Sequence, residues 1–530
     1  MYMEMVLAGL MAHTFSFQVN PRSVSTITAV LILGPTAITI VESPGHPLRF
    51  FFAALATYLS TLAASIVAYR LSPFHPLASY PGPLLARVSA LWQLWTELDG
   101  KQHITYRRLH SQYGEIVRTG PNHLHFCSAS AIRPALGSLN QWHRHEGYGV
   151  VVPPGGTGSI MTVLDPATHK LRRRAWDRAF TASALNDYRP MLGARLRQLR
   201  DIMDLRCGDT LDISQWFKFF TFDFMGDFAF GSAFECMARA ADPEHFQRTI
   251  SRALRLLELC SKIPWVRAFV LLVPSPIETL LRMSMDLARS RKGMAGSPQK
   301  DLFHYLTSGD GGDLSVDILS QDTLIAVIAG SDTTAAVLAN ALYNLLTTPL
   351  AFAQLRAELD AINLPDDLED CDVLKNCKYL NAVINETMRL APVIPNGPTR
   401  MPPPGQPVVI DGRVITPDTI VFIPFYALFR DERYFSPDPD RFWPERWLAS
   451  DESVILDHNA FIPFSYGPTA CVGRHLALYE ARAVLAMLVQ RYDVEFAPGY
   501  DPKQWLADLK DHFIIETGTL PVVMKRRVVD

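Results

Sequence analysis

One cysteine stands in a glycine-containing turn directly before a helix with apolar periodicity. The turn covers residues 464–473 and carries Cys471 near its end. Gly467 and Gly473 permit close approach of the backbone, and Phe464 is placed to keep water from the sulfur. N–H groups at the start of the helix would stabilise a thiolate. Such a turn can present a metal ligand, but it can equally hold a structural cysteine, because free cysteine is commonly buried.

Three further motifs precede this turn in a fixed order. Their sequences are Ala329-Gly330-Ser331-Asp332-Thr333-Thr334, Glu386-Thr387-Met388-Arg389 and Phe442-Trp443-Pro444-Glu445-Arg446-Trp447. Each is weak alone, since Glu-x-x-Arg occurs by chance in many helices. In this order, ending on the cysteine turn, they resemble the cytochrome P450 family of haem-thiolate monooxygenases. The resemblance covers roughly residues 80–520, and segments 113–122 and 425–431 are similar to membrane-bound fungal members.

This resemblance implies a fold, a cofactor and partners. We expect a mainly α fold with a small β region, the cytochrome P450 fold, preceded by N-terminal transmembrane segments. Haem b (iron-protoporphyrin IX) would bind with Cys471 as the axial ligand of its iron, beside Phe464, Gly467 and Gly473. NADPH would supply electrons through a separate NADPH-cytochrome P450 reductase, and cytochrome b5 is a further candidate partner.

Composition predicts one large domain rather than several small ones. The motifs extend from about residue 110 to 475 without a disordered linker, so we expect a single catalytic domain over residues 84–530. The most linker-like stretch, 292–313, predicts an exposed loop between helices. Prolines in residues 73–83 predict a stiff, extended hinge ahead of the domain. A net charge of −3 gives no indication of nucleic-acid binding, and seven cysteines without regular spacing argue against a secreted disulfide framework.

Residues 1–72 differ from the rest of the chain. Uncharged runs at 23–41 and 50–69 are the strongest candidate membrane spans, with a weaker run at 5–19. A cleavable signal peptide is the competing interpretation, but a basic n-region is missing and Glu4 lies near the start. We therefore expect retained membrane-anchoring segments, in the endoplasmic reticulum, with the catalytic domain facing the cytosol.

Apolar periodicity predicts one long helix over residues 316–346. The centre of this helix is unusual in two ways. Gly330 destabilises a helix by about 1 kcal/mol relative to alanine, and the polar residues Asp332 and Thr333 stand where the helix should be buried. In one interpretation, hydroxyl groups bond to carbonyls one turn earlier. In the other, which the resemblance favours, the helix is locally distorted over the open face of the metal. By the resemblance, Thr333 and Asp332 are catalytic and deliver protons to dioxygen, and Gly330 faces the haem.

A second helix is predicted to end at residues 381–390 and to be largely buried. Glu386 and Arg389 lie three residues apart, hence on one face. The resemblance adds Arg446 as the third member of a structural triad. Two guanidinium groups bonded to one carboxylate satisfy buried charge directionally, whereas a solvated surface pair, the alternative, would contribute little.

The strongest basic run covers residues 169–178. By the resemblance, Arg173 and His169 contact the haem propionates, and Arg400 is a second candidate. Thr469 stands where the family usually has arginine or histidine. Its hydroxyl can bond a propionate without adding charge, which gives these basic residues more weight. The remaining basic side chains are expected to form a positive face for an acidic reductase: Lys170, Arg172, Arg174, Arg474 and Arg482.

The implied function is insertion of one oxygen atom from dioxygen into an apolar small molecule. The pocket walls would come from residues 145–165, the helix before Thr333, and segments 393–398 and 514–518, which carry few charges. A terpenoid, sterol-like, aromatic or fatty substrate would each fit such walls, and a specialised-metabolite scaffold such as a terpenoid is the expected one. The retained Asp332–Thr333 pair disfavours a haem-thiolate isomerase or dehydratase, which would need neither dioxygen nor reductase. A non-catalytic haem sensor is a third alternative.

Overall fold

A computed structural model gives the arrangement of the chain. It describes residues 2–19, 24–42, 47–138, 142–152, 156–232, 234–243, 245–262, 275–294, 300–308, 314–362, 364–365 and 367–527. The α-helices are α1 (Tyr2–Val19), α2 (Val24–Thr28), α3 (Gly34–Glu42), α4 (Pro47–Leu71), α5 (Leu84–Val88), α6 (Leu91–Glu97), α7 (Gln102–Tyr113), α8 (Ile132–Leu136), α9 (Pro166–Ala179), α10 (Ala182–Leu205), α11 (Ile213–Phe230), α12 (Cys236–Arg239), α13 (Phe246–Lys262), α14 (Pro276–Gly293), α15 (Leu302–Thr307), α16 (Val316–Thr347), α17 (Pro349–Asp360), α18 (Lys378–Leu390), α19 (Phe425–Leu428), α20 (Arg474–Arg491) and α21 (Lys503–Asp508).

Short strands make up a small β region. They are β1 (Ile116–Gly120), β2 (His123–Phe126), β3 (Thr210–Asp212), β4 (Thr399–Arg400), β5 (Val408–Ile410), β6 (Arg413–Ile415), β7 (Ile420–Phe422), β8 (Phe435–Ser436), β9 (Ile455–Leu456), β10 (Tyr492–Phe496), β11 (Lys510–His512), β12 (Ile514–Glu516) and β13 (Pro521–Arg526). The largest sheet has the order β1-β2-β7-β4, with β2 and β7 parallel and the other neighbours antiparallel. The antiparallel hairpin β11–β12 stands apart from the antiparallel sheet β10-β13-β3. The expectation of a mainly α fold with a small β region is confirmed.

The long helix α16 crosses the main hydrophobic core, together with α11, α18 and α20. It begins after Ser315, whose side chain accepts a hydrogen bond from the Ile318 N–H and so satisfies one free donor of the first turn. Leu319, Val327 and Leu338 are fully buried along it. The helix ends at Thr347, one residue beyond the predicted end.

The expected distortion at the centre of α16 is wrong, since the α-helix is continuous through this region. The Thr333 hydroxyl donates to the Ala329 carbonyl oxygen at 2.6 Å, and Ser331 makes the equivalent bond one turn back at 2.7 Å. These bonds satisfy the polar side chains without opening the helix. Gly330 has a packing role, because an added Cβ would lie 2.5 Å from the Met225 sulfur of α11.

Helices α1 to α4 pack on one another ahead of the catalytic domain, around a small core of Met5, Ala54, Tyr58 and Leu62. Among the described N-terminal helices, Phe50–Leu71 is long and apolar enough on its own to cross a membrane. The predicted span 23–41 is divided into α2, a π-helical turn and α3, and its first residue lies outside the described residues. Helix α16 passes the same test but is mostly buried within the protein.

The hinge is not extended. Residues 72–80 form successive bends and turns, since proline favours turns as well as extended chain. Arg118 of β1, which is fully buried, donates to the carbonyl oxygens of Arg70 and Leu77 at 3.3 and 3.4 Å. Arg70 in turn donates to the Val88 carbonyl oxygen at 2.6 Å. These bonds attach the end of α4 to two elements of the catalytic domain, β1 and α5.

The stretch 292–313, predicted as an exposed loop, contains helix α15. Leu302 of this helix is fully buried in the main core. Asp301, also buried, caps the helix by accepting from a backbone N–H. Residues 295–299 and 309–313 lie outside the described residues, so the expectation is wrong for the part between them.

Candidate active site

Backbone constraints fix the cysteine turn at the start of α20. The Cys471 N–H donates to the Phe464 carbonyl oxygen at 2.8 Å. Gly467 has φ of +77°, and an added Cβ would lie 2.1 Å from the Leu136 carbonyl oxygen, so a side chain does not fit there. Helix α20 begins at Arg474, directly after the turn.

The Cys471 sulfur faces an internal cavity. The side chain is accessible from that cavity but not from bulk water, and this burial raises the pKa of its thiol. The Gly473 N–H and the charges of Arg173 and Arg474 act in the opposite direction, because they stabilise the thiolate. At Gly473, an added Cβ would lie 3.9 Å from the sulfur. A metal ion bound to the sulfur would complete the compensation, since a coordinating thiol is deprotonated.

One end of the cavity, whose volume is about 430 Å³, is apolar. Helices α13, α14 and α16, the loop after α18 and the β11–β12 hairpin line it with Ile250, Ala253, Leu254, Leu257, Ile277, Leu280, Leu281, Leu324, Ile325, Ile328, Val393, Ile394, Phe513 and Ile514. Within the described lining, these elements contribute no charged side chain. The predicted walls all take part, although residues 153–155 lie outside the described residues. The contributions of α13 and α14 were not predicted.

Four basic side chains line the other end of the cavity: Arg144, His169, Arg173 and Arg400. Arg144 Nη2 lies 3.1 Å from His169 Nε2. Burial, followed by the charge of Arg144, lowers the pKa of His169 to about 4, so the ring is neutral and accepts from the guanidinium. Arg400 donates to the hydroxyl of Thr469. The predicted residues are thus brought together with Arg144.

Two of these cations lack a carboxylate partner. Across the described ranges, Arg144 and Arg400 form no ion pair, whereas Arg173 lies 2.7 Å from Asp177. Arginine forks bind carboxylates with paired, charge-assisted hydrogen bonds, so unpaired cations at a cavity wall favour an anionic ligand. Haem carries two propionates and binds a thiolate through its iron. With Cys471 on the same cavity, the residues present fit haem.

Gly330, Thr333 and Thr334 of α16 also line the cavity. Asp332 is half-buried and points away from the described lining, toward the charges of Lys218 and Glu516. Burial raises the pKa of Asp332 to about 6, and Lys218 acts in the opposite direction. A carboxyl group with a pKa near the working pH can both release and accept protons.

Comparison with known proteins identifies the family. The Cytochrome P450 family model matches residues 81–517. The chain is a cytochrome P450. It is 32% identical to Cytochrome P450 monooxygenase phqL of Penicillium fellutanum, over 98% of this chain and 94% of that protein. Tryprostatin B 6-hydroxylase of Aspergillus fumigatus is 31% identical over 89% and 85% of the two chains. Cytochrome P450 monooxygenase notG' of Aspergillus versicolor is 30% identical over 99% and 98%.

These matches establish the class of enzyme. The P450 is a monooxygenase that binds haem through a cysteine thiolate and receives electrons from a redox partner. The relatives named above come from fungi, and two of them are named as monooxygenases and one as a hydroxylase. The isomerase and sensor alternatives are therefore disfavoured.

In this P450, Glu386, Arg389 and Arg446 meet in the core, and all three are fully buried. Both carboxylate oxygens of Glu386 accept from Arg389 at 2.8 Å. Arg446 Nε lies 3.6 Å from Glu386 Oε1, an ion pair beyond hydrogen-bond distance. Trp443 N–H and the Trp447 indole also donate to Glu386. The remaining donors of Arg389 reach carbonyl oxygens of the loop before the cysteine turn: Phe429, Pro439 and Arg441.

Arg172 does not belong to the predicted positive face. Its guanidinium lies 2.6 Å from Asp322 of α16, and both side chains are buried. Asp322 also accepts from the Ile160 N–H and the Trp176 indole, so this network attaches the loop above the cavity to α9 and α16. The rest of the face is exposed or half-buried, with Lys170, Arg174 and Arg474 exposed and Arg482 half-buried.

Besides the apolar residues of α13 and α14, two charged residues of the cavity were missed from the sequence. Arg144 lies in a segment without a family motif, so only its position next to the predicted wall at 145–165 could have indicated it. Glu480 lines the cavity from α20 and is fully buried, with no hydrogen-bond partner for Oε1 in the described part of the chain. Burial raises its pKa well above the usual range. In the sequence, the indication of Glu480 was an acidic residue on the apolar face of the helix, between Leu476 and Ala483.

Proposed function

We propose that this P450 is a membrane-anchored monooxygenase that inserts one oxygen atom from dioxygen into an apolar small molecule of specialised metabolism. The observation that carries the proposal is the uncharged, aliphatic end of the cavity, which faces the same space as Cys471. An apolar ligand loses little hydration on entering such a space. NADPH is the proposed electron source, through a separate reductase.

Individual residues of the chain are assigned separate roles in binding haem. Cys471 is the thiolate ligand, and the Gly473 N–H stabilises its charge. Arg173 and Arg400 are proposed to hold the propionates, with His169 and Thr469 as neutral partners. When bound, haem supplies the redox centre at which dioxygen is activated.

Proton delivery is assigned to α16. Thr333 is proposed to hold a proton at its hydroxyl on the cavity side, where the bond to Ala329 orients it. Asp332 is proposed to exchange protons with the outside, for which its raised pKa is suited. The two residues are adjacent in the helix but face different sides, which suits transfer between solvent and cavity.

Membrane attachment is proposed through the N-terminal helices, in the endoplasmic reticulum with the catalytic domain in the cytosol. Support comes from the length and apolarity of α4. The proposed docking face for the reductase consists of the exposed cations Lys170, Arg174 and Arg474, because such a face speeds association with an acidic partner. Cytochrome b5 would compete for the same face.

A terpenoid skeleton is our first choice of substrate, since leucine and isoleucine dominate the lining that α13, α14, α16 and the β11–β12 hairpin contribute. Similarity to Tryprostatin B 6-hydroxylase adds tryprostatin B itself to the compounds to be tested.

The test is reconstitution of the full chain with a reductase and a panel of such compounds. We expect NADPH consumption that depends on both reductase and substrate, and a product heavier by one oxygen atom that carries label from ¹⁸O₂. Conversion without dioxygen or reductase would indicate the isomerase, and ligand binding without turnover would indicate the sensor. A Cys471→Ser variant, which should lose the red-shifted band of the reduced carbon-monoxide complex, is the control for haem ligation.

A further inference from the structure

Helices α1 and α4 run parallel to each other. An added Cβ on Gly9 would lie 3.0 Å from the Tyr58 carbonyl oxygen. One turn later, His13 Nδ1 lies 2.7 Å from Ser65 Oγ, and its ring lies 5.9 Å from that of Tyr69. The contacts therefore advance along both helices in the same direction, whereas antiparallel neighbours would reverse this order.

Two parallel helices in one chain require a return segment. Helix α1 ends at Val19 beside the C-terminal half of α4, but α4 begins with Pro47 at the opposite end. Helices α2 and α3 with the π-helical turn cover residues 24–42 between them, which is about 28 Å at 1.5 Å per residue. The hydrocarbon core of a bilayer is about 30 Å thick. The Tyr58 hydroxyl donates to the Val30 carbonyl oxygen at 2.6 Å, so the return segment packs against α4.

His13, Ser65 and Thr39 lie between these helices, and the exposed hydroxyls of Thr14 and Thr57 bond within their own helices. Large apolar side chains lie outside. The His13–Ser65 bond is internal, and Thr39, 1% exposed, bonds within its own helix. Facing outward are Met11, Val41 and Phe52, each more than 70% exposed. On its own, α1 is not apolar enough to qualify as a span. Within the bundle its histidine is paired, which lowers the cost of a polar group in lipid.

Acidic and basic residues fall only at the two ends of this bundle. Glu4 of α1, Glu42 of α3 and Arg49 of α4 share one end, and no Asp, Glu, Lys or Arg falls within the helices away from their ends. Arg70 lies at the other end, where it donates to the catalytic domain. An apolar band between charged ends is what a spanning bundle requires.

We infer that α1, α2–α3 and α4 cross the bilayer three times, with lipid acyl chains against the outward apolar surface. The N-terminus and the α3–α4 end lie on the membrane face opposite the catalytic domain, and the α1–α2 end lies on the same face as the domain. This inference rests on the proposed membrane attachment. A single span through α4 would instead leave α1, α2 and α3 together on the opposite face.

Insertion of reporters into the full-length chain tests this topology. A spacer with a glycosylation sequon and a protease site is placed at the N-terminus, between α1 and α2, between α3 and α4, or at the C-terminus, and the chain is expressed with microsomes. We expect glycan on the first and third reporters only. Protease added to sealed microsomes should cut the α1–α2 and C-terminal reporters.

The outcomes separate the two proposals. Glycan on the α1–α2 reporter, with protection from protease, would overturn the three-span arrangement but leave membrane attachment intact. Release of the chain by alkaline carbonate, with no reporter glycosylated, would overturn membrane attachment itself. Glycan on the N-terminal and α3–α4 reporters, with cleavage at the α1–α2 and C-terminal reporters, supports three spans, because each reporter then lies on the membrane face opposite the next reporter along the chain.

Crosslinking checks the parallel packing independently. The chain has no cysteine before Cys127, so His13→Cys with Ser65→Cys introduces a defined pair. After oxidation and cleavage at the α3–α4 protease site, we expect the N-terminal fragment to stay attached until reduction. The matched control pairs His13→Cys with Ala54→Cys, at the other end of α4, and should release the fragment. Crosslinking of the control pair but not the test pair would contradict parallel packing.

Discussion

The charges around Glu386 and those along the cavity wall are both buried, but they are compensated differently. Glu386 is bonded at both oxygens to Arg389, with Arg446 beside it. At the cavity, Arg144 and Arg400 have no carboxylate partner within the described part of the chain, and Arg400 meets the hydroxyl groups of Thr469 and Tyr148 and a main-chain carbonyl.

This difference separates structural charge from charge kept for a ligand. Removing charges from water is costly unless opposite charge and hydrogen bonds compensate it. The Glu386 cluster has that compensation internally and therefore needs nothing further. Burial lowers the pKa of Arg144 to about 10, and the charges of Arg400 and Arg173 act in the same direction. Burial lowers the pKa of Arg400 as well. An anion in the cavity would stabilise both charged groups.

The largest effect is expected from Glu386→Gln. The amide would leave Arg389 and Arg446 in the core without their counter-charge, so the free energy of unfolding should fall by about 3–5 kcal/mol. Urea unfolding, followed by haem absorbance and by circular dichroism, measures it. The control is Glu235→Gln, which breaks an exposed pair with Arg239 and should cost less than about 0.5 kcal/mol. A loss for Glu386→Gln as small as the control would show that the cluster is not held by charge.

Arg400→Gln should affect haem rather than the fold. A hydrogen bond to a charged group contributes about 1.5–3 kcal/mol, so haem should transfer to excess apomyoglobin about ten to a hundred times faster than from the wild type. Arg173→Gln should act in the same direction, and Arg174→Gln, exposed on the same helix, is the matched control. Destabilised protein with unchanged haem retention would place Arg400 with the structural charges instead.

The sequence predicts the structural cluster better than the cavity. The Glu-x-x-Arg spacing places two members on one helix face, and the cysteine turn and α16 follow from local patterns of glycine and apolar residues. Such patterns are local, so short motifs reveal them.

What the sequence did not predict depends on contacts between distant segments. Arg172 looks like a surface cation in its basic run, but Asp322, 150 residues later, buries and pairs it. Arg144 reaches the cavity only because its loop folds back over α9. The centre of α16 was expected to be distorted, yet each hydroxyl finds a carbonyl one turn earlier, and composition alone does not choose between those two arrangements.

A smaller, pH-dependent effect is expected at Asp332, an uncompensated carboxyl. Its pKa is raised to about 6 by burial, so the folded protein holds a proton that the unfolded chain releases near pH 4. Stability from this group is present below pH 4 and lost as the pH rises through 6. Asp332→Asn does not titrate. Its free energy of unfolding should therefore rise relative to that of the wild type between pH 4.5 and 7, by on the order of 1–2 kcal/mol after allowance for partial exposure, at about 1.4 kcal/mol per pKa unit.

Asp286→Asn, at an exposed position, controls for surface charge in this measurement and should show no such trend. A gap between Asp332→Asn and the wild type that narrows toward pH 7 would mean that the carboxylate, rather than the acid, is the form the fold stabilises.

The smallest effect is expected at Thr469, and it tests most directly whether the cavity cations are kept for an anion. Thr469→Arg would add a fourth guanidinium to those of Arg144, Arg173 and Arg400, at the position where the family usually carries a cation. If the cavity cations are kept for an anion, the haem-bound protein should lose haem more slowly, by roughly tenfold or about 1.4 kcal/mol, through one more charge-assisted bond. Thr469→Val removes only the hydroxyl and should release haem slightly faster. Faster loss from Thr469→Arg would mean that repulsion by Arg400 outweighs attraction to the propionates, and that the neutral hydroxyl is the better partner in this chain.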